Sequence, residues 1–377
     1  MKVSFVLLLL TGIFITANAQ FNEYADIDRI ALNIPSSQTN TTAEIAAYIK
    51  KNFDTDSKKV RAAYAWVTAN IRYDKDSPHL AILNEDREQK ITAALKRRKG
   101  VCENFATIFS DICVKSGLKS YVVEGYTKQY GETDKSLHAW ATVCVDNTWY
   151  LYDPTWDAGY ASDGLFISHI RNEYYQTSPL AFAESHMPFD PMFQLLNYPV
   201  TYNEFYNGNI RLNTSKPYFS FADSIAAYER SDSLTRYSAA ALRMQRNGVY
   251  NNKMVDNRIK QLKMEIEIIN QDRDAALYNS AVADYNDALA IFNDFLVYRN
   301  NQFVPAKTAN EVQTIFDGIE KKLAAASIKL KEVNRSNATL TLDTGAIEKK
   351  LNELSTKAKE QQVFLSNYLS SAKEKNL

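Results

Sequence analysis

The residues able to carry chemistry are confined to one stretch of this chain. All four Trp, all four His and all three Cys fall between Trp66 and His186. Eight of the nine prolines lie at or before Pro217, and residues 218–377 hold only the glycines Gly248, Gly318 and Gly345. A loop-rich, aromatic part therefore gives way to a helical part near Pro217. The expected organisation is one domain over 20–217 and a second, all-helical one over 218–377.

The first nineteen residues are set apart. Lys2 gives a positive start, Val3 to Ile15 are apolar, and Ala17-Asn18-Ala19 has the small-x-small pattern of a cleavage site. This reads as a secretory signal peptide cut before Gln20; with Gln and not Cys after the cut, no lipid attachment is expected there. No other stretch approaches the ~18 apolar residues of a membrane span. The expectation is an exported protein, periplasmic or secreted, with no transmembrane segment. Three cysteines in an oxidising compartment allow at most one internal disulfide, with Cys113 and Cys144 the candidate pair, and leave at least one thiol. Lys plus Arg and Asp plus Glu both number 44. That balance removes the electrostatic case for nucleic acid or a polybasic membrane contact.

Within the first part, Thr42 caps a helix running to about Asn52, and a second follows Asp56 with Val60, Tyr64, Val67 and Ile71 on one face. A third spans Glu88 to Arg98. Cys102 to Lys115 is helical too, with Phe105, Ile108, Phe109 and Ile112 as its stripe and Gly117 as its stop. Alternating segments then take over at Ser120–Tyr126, His138–Val145 and Thr148–Asp153, with Asp146-Asn147 as a turn. Helices followed by antiparallel strands indicate an α+β domain. The second part carries a/d seams: Val255 to Ile269, Tyr278 to Leu296 after a phase break around Arg273, Val312 to Val333, and Ile347 to Ala358. These predict long helices folded into an antiparallel bundle or coiled coil.

Cys102 opens its helix directly after Gly100 and the cations Lys96, Arg97, Arg98 and Lys99. A helix N-terminus and nearby positive charge favour thiolate over thiol; the plainer reading is a small buried hydrophobe. The hairpin supplies a second line. If Asp146-Asn147 is a two-residue turn, residue i faces residue 293 − i, which puts His138 diagonal to Asp153 on one sheet face. A carboxylate there fixes the imidazole tautomer and steadies its charged form.

Gly100-Val101-Cys102-Glu103-Asn104-Phe105-Ala106, His138-Ala139-Trp140 and Asp153-Pro154-Thr155-Trp156 together resemble the three core motifs of the transglutaminase-like superfamily, in its order. Trp66-Val67 and Asn70-Ile71-Arg72-Tyr73-Asp74 look like its N-terminal helix signature. His186-Met187-Pro188 through Gln194-Leu195-Leu196 is similar to a segment of bacterial members likened to cytokinesis-associated transglutaminase-like proteins. The resemblance covers about residues 40 to 205. It implies a papain-like core with Cys102 as nucleophile, His138 as general base and then acid, and Asp153 orienting His138. The thiolate would attack a peptide or glutamine-type amide and pass through a thioester that water or an amine resolves. Water makes the enzyme a peptidase or amidase, an amine a crosslinking transglutaminase. For the oxyanion, the Cys102 N–H is one donor and Trp66 or Tyr73 are side-chain candidates.

The other residues read structurally. Cys113 lies roughly 16 Å along the helix from Cys102, and Cys144 about 20 Å along the strand from His138. His79 and His169 have no recognisable partner, His186 suits a structural hydrogen bond, and Asp157 and Asp163 suit turns. No glycine-rich phosphate loop and no Cys/His zinc pattern appears, so no cofactor and no metal are expected. The expected partner is a peptide or protein substrate, cell-wall peptide included. The alternative is a catalytically silent binding module, with the C-terminal helices as an arm docking a protein partner.

Overall fold

The computed structural model describes residues 23–75, 86–162, 165–248, 253–333 and 342–375. Residues 1–22, where the signal peptide is expected, His79 and Asp163 lie outside the described residues. The chain forms two compact units, Met1–Arg230 with Leu242–Arg258, and Ser231–Ala241 with Ile259–Leu377.

The first unit begins with helices α1 (Ala25–Leu32), α2 (Thr42–Asn52) and α3 (Asp56–Asn70). Strand β1 (Arg72–Tyr73), helix α4 (Arg87–Arg97), strand β2 (Lys99–Gly100) and helix α5 (Cys102–Lys115) follow. Then come strands β3 (Lys119–Gln129), β4 (Glu132–Thr133), β5 (His138–Val145) and β6 (Thr148–Tyr152). Helix α6 (Pro154–Ala158), strands β7 (Gly159–Ser162), β8 (Leu165–Ser168) and β9 (Tyr175–Thr177), helix α7 (Pro179–Phe182) and strand β10 (His186–Pro188) complete the site-bearing part. Helices α8 (Tyr202–Tyr206) and α9 (Phe221–Arg230) close the unit. The main sheet is antiparallel, in the order β10-β3-β5-β6-β9 with β4 on β3, while β1 and β2 pair in parallel. The architecture is α+β, as expected, with the helical region after it.

Local sequence accounts for the element starts. Thr41, not Thr42, caps α2: its hydroxyl accepts the Glu44 N–H at 3.2 Å while the Glu44 carboxylate accepts the Thr41 N–H at 3.1 Å. The Thr42 hydroxyl instead donates to Asp111 at 2.6 Å. Helix α3 buries more than the expected stripe, being buried from Val60 through Thr68, because α1 covers its second side. That cover encloses Arg61, which makes two 2.6 Å contacts to Asp28 and lies against the Tyr24 and Tyr175 rings.

The β5–β6 turn has Asp146 and Asn147 at φ 49° and 62°, the left-handed pair of a type I′ turn. The register follows, Cys144 opposite Trp149 through Ala141 opposite Tyr152. One sheet face, with Ala141, Val143 and Val145, joins the α5 stripe of Phe105, Ile108, Phe109 and Ile112, all at 0% exposure. Burying such side chains contributes about 2 kcal/mol each. The other face, Val123, Trp140 and Leu151, packs on Phe182, Met192, Leu195 and Ile225. Ile225 belongs to α9, so the first unit runs past the expected boundary at Pro217. Arg243, with contacts of 2.8 and 2.7 Å to Asp190, adds a further segment to it.

The second unit draws on α10 (Ser233–Arg246), α11 (Lys253–Asn300), α12 (Ala309–Glu332) and α13 (Thr344–Lys375). The phase break at Arg273 does not interrupt α11. Lys322 contacts Asp284 and Asp287 whereas Lys329, further along, reaches back to Ser280, so α12 runs antiparallel to α11. Arg299 and Gln313 both meet the Gln361–Gln362 end of α13, which makes α13 antiparallel to α12. Phe292, Phe316, Ile319, Leu323, Leu351 and Leu354 form the core. Among the described residues no helix is long and apolar enough to cross a membrane.

Candidate active site

Gly100 sets the start of α5. A Cβ there would lie 2.6 Å from the Asn104 Cβ, so only glycine lets Asn104 fold back. The Asn104 Oδ1 then accepts the Val101 N–H at 3.0 Å, which places Cys102 at the first helical position. Three of the four neighbouring cations are engaged elsewhere. Lys99 and Arg97 pair with Asp74 at 2.9 and 3.6 Å, and Arg98 donates to Thr39 and lies over the Trp66 ring. Those three thus make their contacts away from Cys102, which sits at the N-terminus of α5.

His138 starts β5 and Asp153 follows β6, where hairpin pairing brings them together. The His138 Nε2–H donates to Asp153 Oδ2 at 2.8 Å, leaving Nδ1 for its other hydrogen bond, to the Cys102 thiol. Asp153 is 0% exposed, and its Oδ1 accepts the N–H groups of Thr155 at 2.8 Å and Trp156 at 3.3 Å, capping α6. Burial alone would lower the pKa of His138; the charge and hydrogen bond of Asp153 outweigh it and push the imidazole up to about 10. Asp153 shifts the other way. Burial opposes its ionisation, but His138 and His186 hold the carboxyl below the usual carboxylate range.

His186, for which the sequence suggests a structural hydrogen bond, makes one inside the site. Its Nε2 lies 3.2 Å from the same Asp153 Oδ2. Burial pulls this second imidazole down to about 4, so it is neutral at pH 7. The signal that it belonged here was a histidine inside an apolar strand, Met187-Pro188 following it. Asp157 is not an exposed turn residue: it is 0% exposed and accepts the Tyr64 O–H at 2.6 Å and the N–H groups of Glu173 and Tyr174. Burial raises its carboxyl to about 6.

Cys102, His138, Tyr73, Trp156, Tyr174 and Ser185 line one cleft of about 840 Å³. Of the two aromatic candidates for the oxyanion, only Tyr73 is there. Trp66 is 1% exposed in the core of α3 and does not line the cleft. Burial, then the charges of Cys102 and Asp153, push Tyr73 up to about 12, so its hydroxyl keeps its proton and stays a donor. Cys113 and Cys144 are free thiols and do not pair with each other. His138, Asp153 and His186 offer ligand-type atoms within 4.8 Å of one another. Both imidazole Nε2 atoms face one carboxylate oxygen at hydrogen-bond distance, so a cation would have to displace two protons that already satisfy the site.

A helix opening on a cysteine, packed on an antiparallel sheet that carries a buried His–Asp pair, defines a papain-like cysteine-protease fold of transglutaminase type. Residues 43–154 match the model of the transglutaminase-like superfamily. The chain is 30% identical over 188 residues to human kyphoscoliosis peptidase, covering 47% of this chain and 28% of that one. It is 23% identical over 208 residues to hillarin of Drosophila melanogaster, covering 49% and 24%. It thus spans about a quarter of the length of the curated relatives it matches. A solved structure of a TGase is 22% identical over 43% of this chain and 38% of that chain, with a TM-score of 0.24.

Proposed function

We propose that the first unit is an exported, cysteine-dependent acyl-transfer enzyme acting on peptide or glutamine-type amides. The observation that carries this reading is the Cys102–His138–Asp153 arrangement, a thiol at a helix start hydrogen-bonded to an imidazole that is itself held by a buried carboxylate. The Cys102 proton passes to His138 and the sulfur attacks the carbonyl carbon. The Cys102 N–H and the Tyr73 hydroxyl, both on the cleft, are the donors assigned to the oxyanion. His138 then gives its proton to the leaving amine, and a thioester remains. Water, deprotonated by His138, adds to the thioester and releases the acid together with the thiol. We place water ahead of an amine as acceptor, which makes the enzyme a peptidase or amidase; the name of the human relative, a peptidase, agrees. The test is Cys102→Ala in the full chain. Turnover of a peptide amide that the wild type cleaves should disappear while tryptophan emission stays unchanged. Full activity in that variant removes the proposal.

A further inference from the structure

The interior behind Cys102 and His138 holds a second histidine, and its surroundings argue against packing as its purpose. His186 is 1% exposed, with the Phe182, Trp156, Tyr174 and Trp140 rings at 4.1, 4.5, 5.1 and 5.2 Å from its own. Phenylalanine would fill such a cage without the cost of desolvating an imidazole. What the imidazole adds is two hydrogen bonds of opposite sense. Nε2 faces Asp153 Oδ2 at 3.2 Å and Nδ1 faces the Ser185 Oγ at 2.8 Å. A neutral ring with its proton on Nε2 donates to Asp153 and accepts from Ser185, which satisfies both contacts. The Ser185 hydroxyl also meets the Tyr174 phenol, and both line the cleft.

We propose that His186 is a positioning residue for the Cys102–His138 pair: by donating to the oxygen that receives His138, it fixes the Asp153 carboxylate and divides its charge between two imidazoles. The role rests on the acyl-transfer reading above and names a second support for the same site. The backbone is shaped for it. Strand β10 lies beside β3 with Pro188 opposite Gly125, and Gly125 is in turn opposite His138. A Cβ on Gly125 would lie 2.2 Å from the Met187 carbonyl oxygen, so the glycine lets β10 approach closely enough to bring His186 to Asp153. With His186 present, both Asp153 oxygens are fully used, Oδ1 by two backbone N–H groups and Oδ2 by two imidazoles. The ionisable groups around these two rings are Cys102 on α5, Asp153 and Asp157 at α6, Tyr64 on α3, Tyr73 on β1 and Tyr174 before β9.

The experiment compares full-length wild type, His186→Phe and His186→Gln by the pH profile of iodoacetamide alkylation at Cys102 and by kcat and KM on a peptide amide. The glutamine Nε2 keeps a donor toward Asp153, while phenylalanine keeps the shape and removes it. In His186→Phe the undivided carboxylate should hold the imidazolium more tightly. The alkaline limb of the profile then moves up by about half a pH unit or more. The kcat should fall roughly tenfold at unchanged KM, and His186→Gln should restore both. A phenylalanine variant with wild-type profile and kcat overturns the role, as does a glutamine variant impaired as badly with an unmoved profile. If alkylation of Cys102 in the full chain ignores His138→Ala, the acyl-transfer reading falls and the role falls with it. Should His186→Phe lose the native tryptophan emission, Ser185→Ala decides. Removing the hydroxyl that locks the tautomer should shift the limb in the same direction by less, and no shift overturns the role.

Discussion

The two units bury their interiors by different means. In the first, polar groups go inside with partners: Asp153 with two histidines, Asp157 with Tyr64, Arg61 with Asp28, Thr42 with Asp111. In the helical unit the core is Phe, Ile, Leu, Val and Ala, and the two carboxylates that reach inside, Asp274 and Asp284, meet Arg273 and the lysines Lys322 and Lys329, whose side chains are about a third to a half exposed. A buried polar network works only with particular residues at particular places, because each unpaired group costs the full desolvation of that group. An apolar seam asks only for residues of suitable size and spacing. The first unit should therefore fail at single atoms, and the second chiefly through lost volume.

All four Trp lie in the first unit, so tryptophan emission follows that unit alone while far-ultraviolet circular dichroism is weighted to the long helices. The largest effect expected is from Asp153→Ala, which takes the partner from the Nε2 of both His138 and His186 in the interior and uncaps α6. Unfolding followed by tryptophan emission should show a loss of about 3–5 kcal/mol. A loss under 1 kcal/mol would mean that the network is not what specifies this unit. Phe316→Ala, in the bundle core, should cost a similar 3–5 kcal/mol, about the usual figure for a buried phenylalanine. Its effect should appear in the dichroism transition with Cys102 alkylation unchanged. Leu323→Met, which keeps volume, should cost less than about 1.5 kcal/mol, and a larger loss would make the seam as particular as the site.

Solution pH separates the units further. His138, held above its ordinary range, contributes stability that is complete below about pH 6.5 and fades as the pH rises toward 10. Asp153, held below its ordinary range, contributes stability that fades as the pH falls below about 3.8. Between these limits two groups oppose one another. His186, lowered to about 4, makes the fold less stable as the pH falls below 6.5, while Asp157, raised to about 6, works the other way. The tryptophan-monitored transition should decline between pH 7 and 10 and stay level from 6.5 to 4, and Asp157→Asn should uncover an acid decline. In the helical unit the carboxyl of Asp284 is held down by Lys329 and Lys322, a contribution lost only in acid. Its dichroism transition should not move between pH 5 and 9. The smallest effects belong to the caps. Thr41 and Thr308 each close a capping box, one per unit, and replacement of either by Ala should cost about 1 kcal/mol.

Much of the first unit was legible because local rules and pairing arithmetic agree there. The α5 bounds follow from Gly100 and the stripe to Ile112, and the Asp146-Asn147 turn fixes the register that brings His138 to Asp153. Long-range placement was what the sequence withheld. His186 reaches Asp153 only because β10 pairs with β3, some sixty residues earlier in the chain, and no periodicity encodes that pairing. Asp157 looked like a surface turn because its partner Tyr64 lies on α3, and Trp66 could not be told from Tyr73 before it was known which of them lines the cleft. Ile225 reads as part of the helical region, and its burial against Trp140 is what moves the boundary past Pro217. The bundle's seams were legible from spacing, although Ile266 and Ile269 are only half-buried where the seam predicts core.

The most direct test of the central claim is the pH dependence of alkylation at each cysteine, read by peptide mass spectrometry on the full chain. Cys113 and Cys144 serve as internal references, both with thiols raised by burial. The expected result is a pH profile at Cys102 set apart from both references and changed by His138→Ala, because His138 is hydrogen-bonded to that thiol. Reactivity at Cys102 that rises only near pH 8 to 9, about where an unperturbed thiol titrates, and that ignores His138→Ala would contradict it.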